Sequence, residues 1–292
     1  VFWPNSQWGA SVSTHEAPQH PILVGYDGSD TSERAVLWAA HHAAATGLPL
    51  VVVHCWMGMS HSGGPGSIID ASDSARRAAE RTAAKGLELA KQAEPDVNTS
   101  ARLIVGHPSE VLTKASTDAS LLVTGSRGLG GFKGLLIGSV SLHLASCASC
   151  PVAVVRKERL AKRGILVAID GSPQSDKALL FAADMAKARH TSLRLLHIRP
   201  YSRYAITRPP VSESKNDPVV QQALDLLDDD VDVTIVEDSL DGPTVPRNIV
   251  LHAQKASCVV VGAKGRNTLT VRLGSTVHAV LHYAQGTTII VR

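Results

Sequence analysis

The chain has 292 residues, 29 Lys and Arg against 26 Asp and Glu, and 44% hydrophobic residues, which excludes wholesale disorder and leaves room for two domains of ordinary size. A formal charge of +3 and an aromatic content of 4% argue against a nucleic-acid groove, a base-stacking platform or an anionic membrane surface as partner. Four scattered cysteines, Cys55, Cys147, Cys150 and Cys258, are too few for a disulfide-stapled scaffold. No apolar run approaches the roughly 20 residues that span a bilayer, so the expected setting is the reducing cytoplasm.

Residues 1–20 have neither a basic n-region nor an apolar h-region and read as a flexible tail. Next, Ile22–Asp27 is a short apolar run without alternation, the pattern of a strand buried on both faces. An Asp30-x-x-Glu33 capping box predicts a helix over Thr31–Thr46. Further strands are expected at Leu50–Trp56, Ser100–Val105, Ser120–Gly125 and Val152–Arg156, separated by helices at Asp70–Ala93, Glu110–Thr117 and Ser139–Ala148. Lys157–Arg163, KERLAKR, reads as a short solvated linker.

After the linker the order starts again. Strands are expected at Ile165–Asp170, Leu193–Arg199, Val231–Glu237, Cys258–Ala263 and Thr288–Arg292, with Pro200–Asp217 as a mobile loop. The restart is a repeat: PILVGYDGSDTSERAVLWAA from Pro21 is echoed by GILVAIDGSPQSDKALLFAA from Gly164, at an offset of 143 residues. LLVTGSRG from Leu121 is likewise answered by VVVGAKG from Val259. Each copy is domain-sized, so the expected organisation is two tandem α/β domains, 21–156 and 164–292, each with a five-stranded parallel sheet.

In such a sheet, ligands sit outside the carboxyl ends of the strands where strand order reverses. There the first strand ends in Asp27-Gly28-Ser29, and the fourth runs into GSRGLGGFKGLLIGS, with six glycines between Gly125 and Ser139. A loop of this kind brings backbone N–H groups close to phosphate oxygens, and the helix that follows adds its positive end. The segment is neither a P-loop nor a GxGxxG fingerprint, so hydrolysis driven by a Walker lysine is unsupported.

Gly125-x2-Gly128-x9-Gly138-Ser139, with Asp27 at the end of the first strand, resembles the ATP-binding subgroup of the universal stress proteins, in tandem form, over about residues 21–292. The resemblance implies an adenine nucleotide alpha hydrolase-like, Rossmann-like fold with strand order 3-2-1-4-5, and ATP, with Mg²⁺, as ligand. It also implies pairing of the two copies through their fifth strands, with dimerisation of chains as a further expectation. By that similarity Asp27, with Gly28 and Ser29, lies near the adenosine, and the backbone at Cys55 meets adenine. Gly125, Arg127 and Gly128 face ribose and phosphates, and Gly138, Ser139 and Val140 hold the phosphate tail.

The second copy matches with Asp170, Ile198, Gly262, Gly265, Gly274 and Ser275. Only eight residues separate Gly265 from Gly274, and RNTLTVRL between them contains no glycine, changes that can close the cradle. The leading expectation is a nucleotide-dependent stress-response or signalling module. A slow ATPase or a nucleotidyl or phosphoryl transferase on the same fold, and a ligand-free interaction scaffold, stay open. Near the loop only Arg127 and Lys133 offer positive charge and no carboxylate is close in sequence, which disfavours a dedicated phosphoryl-transfer enzyme.

The remaining candidates are structural. Cys147-Ala-Ser-Cys150 has no second pair to complete a zinc site and is expected to be buried. His54 and His197 occupy matching places and are expected to bond locally, His41 and His42 point to different helix faces, and Asp225–Asp230 reads as a solvated helix end.

Overall fold

The computed structural model describes residues 20–57, 68–130, 136–156, 163–198, 217–236, 245–265 and 273–292. The tail before residue 20, linker residues 157–162 and the expected loop up to residue 216 lie outside this set. The first copy runs β1 (Ile22–Gly25), α1 (Asp30–Thr46), β2 (Leu50–Trp56), α2 (Ile68–Ala93), β3 (Thr99–Val105), α3 (Pro108–Ala115), β4 (Leu121–Gly125), α4 (Ser139–Cys147) and β5 (Val152–Val155). The second runs β6 (Ile165–Ile169), α5 (Pro173–Ala188), β7 (Leu193–His197), α6 (Pro218–Asp225), β8 (Val233–Val236), α7 (Val245–Ala253), β9 (Cys258–Gly262), α8 (Ser275–Tyr283) and β10 (Thr287–Val291).

All ten strands join one sheet in the order β3-β2-β1-β4-β5-β10-β9-β6-β7-β8. Pairing within each copy is parallel, and at the seam β5 and β10 run antiparallel with Ala153 opposite Ile289. Strands such as β1 and β4 are buried on both faces, hence their unbroken apolar runs. Residues of α1, α2, α5 and α6 cover one face, and those of α3, α4, α7 and α8 cover the other. The result is a doubly wound α/β fold in two tandem copies.

Local chemistry sets the helix ends. The Ser29 hydroxyl accepts from the Ser32 N–H and caps α1, so the cap lies one residue before the Asp30 of the expected box. Glu33, the other half of that box, instead reaches Lys85 of α2 at 2.6 Å. Ser172 caps α5 in the same way. Gly28 and Gly171, with φ of 86° and 70°, make the left-handed turn that places each cap. Pro108 opens α3, two residues earlier than Glu110, because its fixed φ suits a first helical position.

The copies also meet on the α1 and α5 side, where the Arg189 guanidinium lies 4.7 Å from the Trp38 ring centroid and the Trp38 ring packs on His42. Burial, and then the Arg189 charge, push the His42 imidazole down from 6.5 to about 3. Unfolding restores an ordinary imidazole. Below about pH 6.5 the unfolded chain therefore takes up a proton that the folded chain refuses until about pH 3, and stability falls as pH falls through that window. Between pH 7 and pH 5 this group alone removes about 2 kcal/mol. Urea unfolding of the wild type and His42→Gln at both pH values checks it: the wild type is expected to lose about 2 kcal/mol more than the variant, and equal losses would contradict it.

Candidate functional site

From β1 the chain turns to α1 and pairs onward to β2, and from β4 it turns to α4 and pairs onward to β5, so strand order reverses between β1 and β4. A cavity of about 600 Å³ opens at the carboxyl ends of these strands. One wall is apolar, from Val53, Cys55, Leu112 and Val140. The other is made by Asp27, the Gly125–Gly130 end of the loop, and the start of α4 at Gly138–Ser141.

Asp27 joins the two turns. Its Oδ1 accepts from the Ser29 N–H at 3.0 Å and its Oδ2 from the Leu129 N–H at 3.0 Å. Burial raises this carboxyl, but donors from Ser29, Ser32 and Leu129 outweigh burial and hold it below its ordinary value. A Cβ on Gly128 would stand 2.5 Å from Asp27 Oδ2, so the close approach of loop and carboxylate requires glycine. Thr31 Oγ1 also donates to the Arg127 carbonyl, the Gly138 N–H to the Ser126 carbonyl at 2.7 Å, and Ser141 Oγ to the Gly125 carbonyl at 2.7 Å.

At the start of α4 the cap residue is Gly138, and no side chain caps the helix. Its first turn holds no acidic residue, so the helix's orphan N–H groups and positive end are left to whatever occupies the cavity. His54 Nδ1 donates to the Tyr26 carbonyl at 2.7 Å, the local bond expected of it. Burial pushes the Cys55 thiol up to about 11, which keeps it protonated and poorly nucleophilic.

The second copy carries a cavity of about 500 Å³ at the equivalent place. Asp170, Ile198, Gly262, Gly265, Gly274 and Ser275 all line it, with Lys264 where copy one has Arg127. Asp170 Oδ1 accepts from the Ser172 N–H at 3.0 Å, and a Cβ on Gly265 would stand 2.5 Å from Asp170 Oδ2, as at Gly128. Among the described residues, strand ends and the start of α8 form the walls of this cavity; the shortened loop, residues 266–272, lies outside them. His197 differs from His54: its Nδ1 lies 3.1 Å from Asp217 Oδ2, while Asp217 Oδ1 caps α6.

A universal stress protein family model matches residues 19–156 and again 162–292. The chain belongs to the universal stress protein family. It is 31% identical to the universal stress protein Rv2005c of Mycobacterium tuberculosis over 94% of this chain and 97% of that one. With the universal stress protein Rv2623 of the same organism it shares 28% identity over 93% and 96% of the two chains. A universal stress protein crystal structure from Archaeoglobus fulgidus superposes with a TM-score of 0.71 at 18% identity, covering 94% of this chain and 99% of that one, and so shares the fold.

Within this universal stress protein fold the sequence-expected residues are unevenly placed. In copy one Asp27, Cys55, Gly125, Arg127, Gly128, Gly138, Ser139 and Val140 line the cavity, whereas Gly28 and Ser29 do not, being used for the turn and the cap. Sequence reasoning missed Thr31 and Ser141, whose hydroxyls pin the loop from α1 and α4, and Leu112 in the apolar wall. The hydroxyls were visible only as ordinary first-turn residues of helices. Of the CxxC pair, Cys150 is buried as expected but Cys147, at the end of α4, is exposed. Asp228 and Asp230 both lie 2.7 Å from Lys187 Nζ, so part of the acidic run is paired with α5. Lys133 lies outside the described residues.

Proposed function

We propose that the copy-one cleft binds ATP and that its occupancy switches the interactions of this universal stress protein in a cytoplasmic stress response. The observation that carries the reading is the two-sided cleft: an apolar wall of a size suited to a base, facing a glycine loop and an uncapped helix start that present N–H groups to phosphates. The spacing Gly125-x2-Gly128-x9-Gly138-Ser139 of the family's ATP-binding subgroup supports it. In this reading Val53 and Cys55 stand beside adenine, Arg127 and Gly128 beside ribose and phosphates, and Ser139 and Val140 at the tail. The two copies act as domains 21–156 and 164–292, and dimerisation of chains remains part of the proposal.

The donor set does not fit a protein-held Mg²⁺. Both oxygens of Asp27 already accept backbone N–H groups, and the described residues hold no cluster of three His, Cys, Asp or Glu. Any Mg²⁺ in the cleft would be held by the nucleotide's phosphates and water. The same engagement of Asp27, with a protonated Cys55, favours binding over turnover. No helix among the described residues is long and apolar enough to cross a membrane.

Titration calorimetry tests the proposal. ATP is expected to bind the wild type with a stoichiometry near one at micromolar ligand. Asp27→Ala, which unties the loop from the β1–α1 turn, is expected to weaken it about tenfold. Absence of ATP binding, or unchanged affinity in Asp27→Ala, would contradict it.

A further inference from the structure

Arg156 follows β5, outside both clefts. Its guanidinium donates to the carbonyls of Ala284 at 2.5 Å, His282 at 3.3 Å and Leu281, at the end of α8 in copy two. The same group donates at 2.9 Å to the carbonyl of Leu136, two residues before Gly138, in the segment that feeds α4 of copy one. A planar guanidinium has donors in a fixed fork, so one side chain can hold two elements in register. Its charge also suits the negative end of α8.

We propose that Arg156 is a positioning residue through which copy two sets the phosphate-facing loop of copy one, coupling a polyphosphate ligand in that cleft to the end of α8. This rests on the nucleotide reading of the copy-one cleft. The chain of contacts is continuous. Leu136 leads directly into Gly138, whose N–H is fixed on Ser126 and which starts the uncapped α4. A shift of Leu136 therefore moves the N–H groups that face the cleft. At its other end α8 begins at Ser275, which lines the copy-two cavity, so Arg156 bridges elements of both clefts.

Electrostatics sets the sign of the coupling. Burial lowers the Arg156 pKa, and the nearby charge of Arg127, which lines the cleft, lowers it further, so the two cations repel one another. An anion beside Arg127 relieves that repulsion and strengthens the bonds from Arg156 to Leu136 and α8. The effect should grow with ligand charge and vanish for a ligand without phosphate. Among uncharged and charged forms of one ligand class, adenosine and ATP separate the two cases.

The experiment measures affinities of ATP and adenosine for the full-length wild type, Arg156→Met and Arg156→Lys, together with amide hydrogen exchange at residues 281–284 with and without ATP. Arg156→Met is expected to lower ATP affinity about tenfold and adenosine affinity less than about twofold. Arg156→Lys keeps the charge but not the fork, and should shift ATP affinity the same way by a smaller factor. In the wild type, ATP should slow exchange at 281–284, and in both variants that slowing should disappear. A merely structural arginine would change both affinities alike and leave the ATP-dependent slowing intact. Should Arg156→Met not fold, Arg156→Lys decides alone: an unchanged ATP-to-adenosine ratio overturns the proposal. A wild type that binds no ATP would instead overturn the nucleotide reading, and this inference with it.

Discussion

Glutamate at Gly128 is expected to lower ATP affinity in the copy-one cleft by about a hundredfold or more, while the thermal midpoint moves by only a few degrees. The new Cβ would stand 2.5 Å from Asp27 Oδ2, so loop and carboxylate must separate and the Leu129 N–H loses its acceptor. The added carboxylate also enters the space assigned to phosphates, where like charges repel. Gly128 is exposed, so the fold itself loses little. Gly265→Glu in copy two is the informative companion. Copy one ties its loop with Thr31 Oγ1 as well as Asp27, but Gln174 replaces that threonine in copy two, and no glycine remains between Gly265 and Gly274. The tight signal should therefore survive Gly265→Glu and vanish in Gly128→Glu. Two equivalent tight sites in the titration, or loss of binding from the copy-two variant alone, would contradict the ranking of the clefts.

Ala153→Asp is expected to cost about 4 kcal/mol or more in urea unfolding, among the largest losses available to a single substitution. Ala153 is fully buried in β5 opposite Ile289 of β10, in the apolar cluster formed with α1 and α5, so an aspartate there would be desolvated. The seam is also where each copy covers the other's edge strand, so the damage spreads to both cores. The corresponding change on the exposed surface, Ala78→Asp in α2, should fall within about 0.5 kcal/mol of the wild type. A similar small loss at Ala153 would mean that the two sheets do not join in solution.

The strands and the two-fold repetition were legible because buried parallel strands leave unbroken apolar runs such as ILVG and CVVVG, and the second copy repeats them in the same order. The glycine loop was legible because its spacing survives in one contiguous stretch from Gly125 to Ser139. What failed locally was the choice among adjacent caps: Ser29, Asp30 and Glu33 all suit a helix start, and the Gly28 turn together with the Lys85 partner decided between them. Contacts between distant segments left no local trace. Arg156 looks like the end of a strand running into a basic linker, and nothing near it announces the carbonyls of residues 281 to 284. The same holds for His197, which matches His54 in sequence but meets Asp217, a residue assigned to a loop. The strand ends that frame the copy-two cavity could not be read from the shortened loop, whose residues 266–272 lie outside the described residues.

Native mass spectrometry of the gently purified chain, before and after addition of ATP, addresses the central claim most directly. The wild type should carry one adenine nucleotide, either retained through purification or restored by micromolar ATP, and Gly128→Glu should remain bare under the same conditions. A wild-type chain that stays at its bare mass with ATP present, or a Gly128→Glu chain that holds nucleotide as firmly as the wild type, would show that the cleft between β1 and β4 is not a nucleotide site.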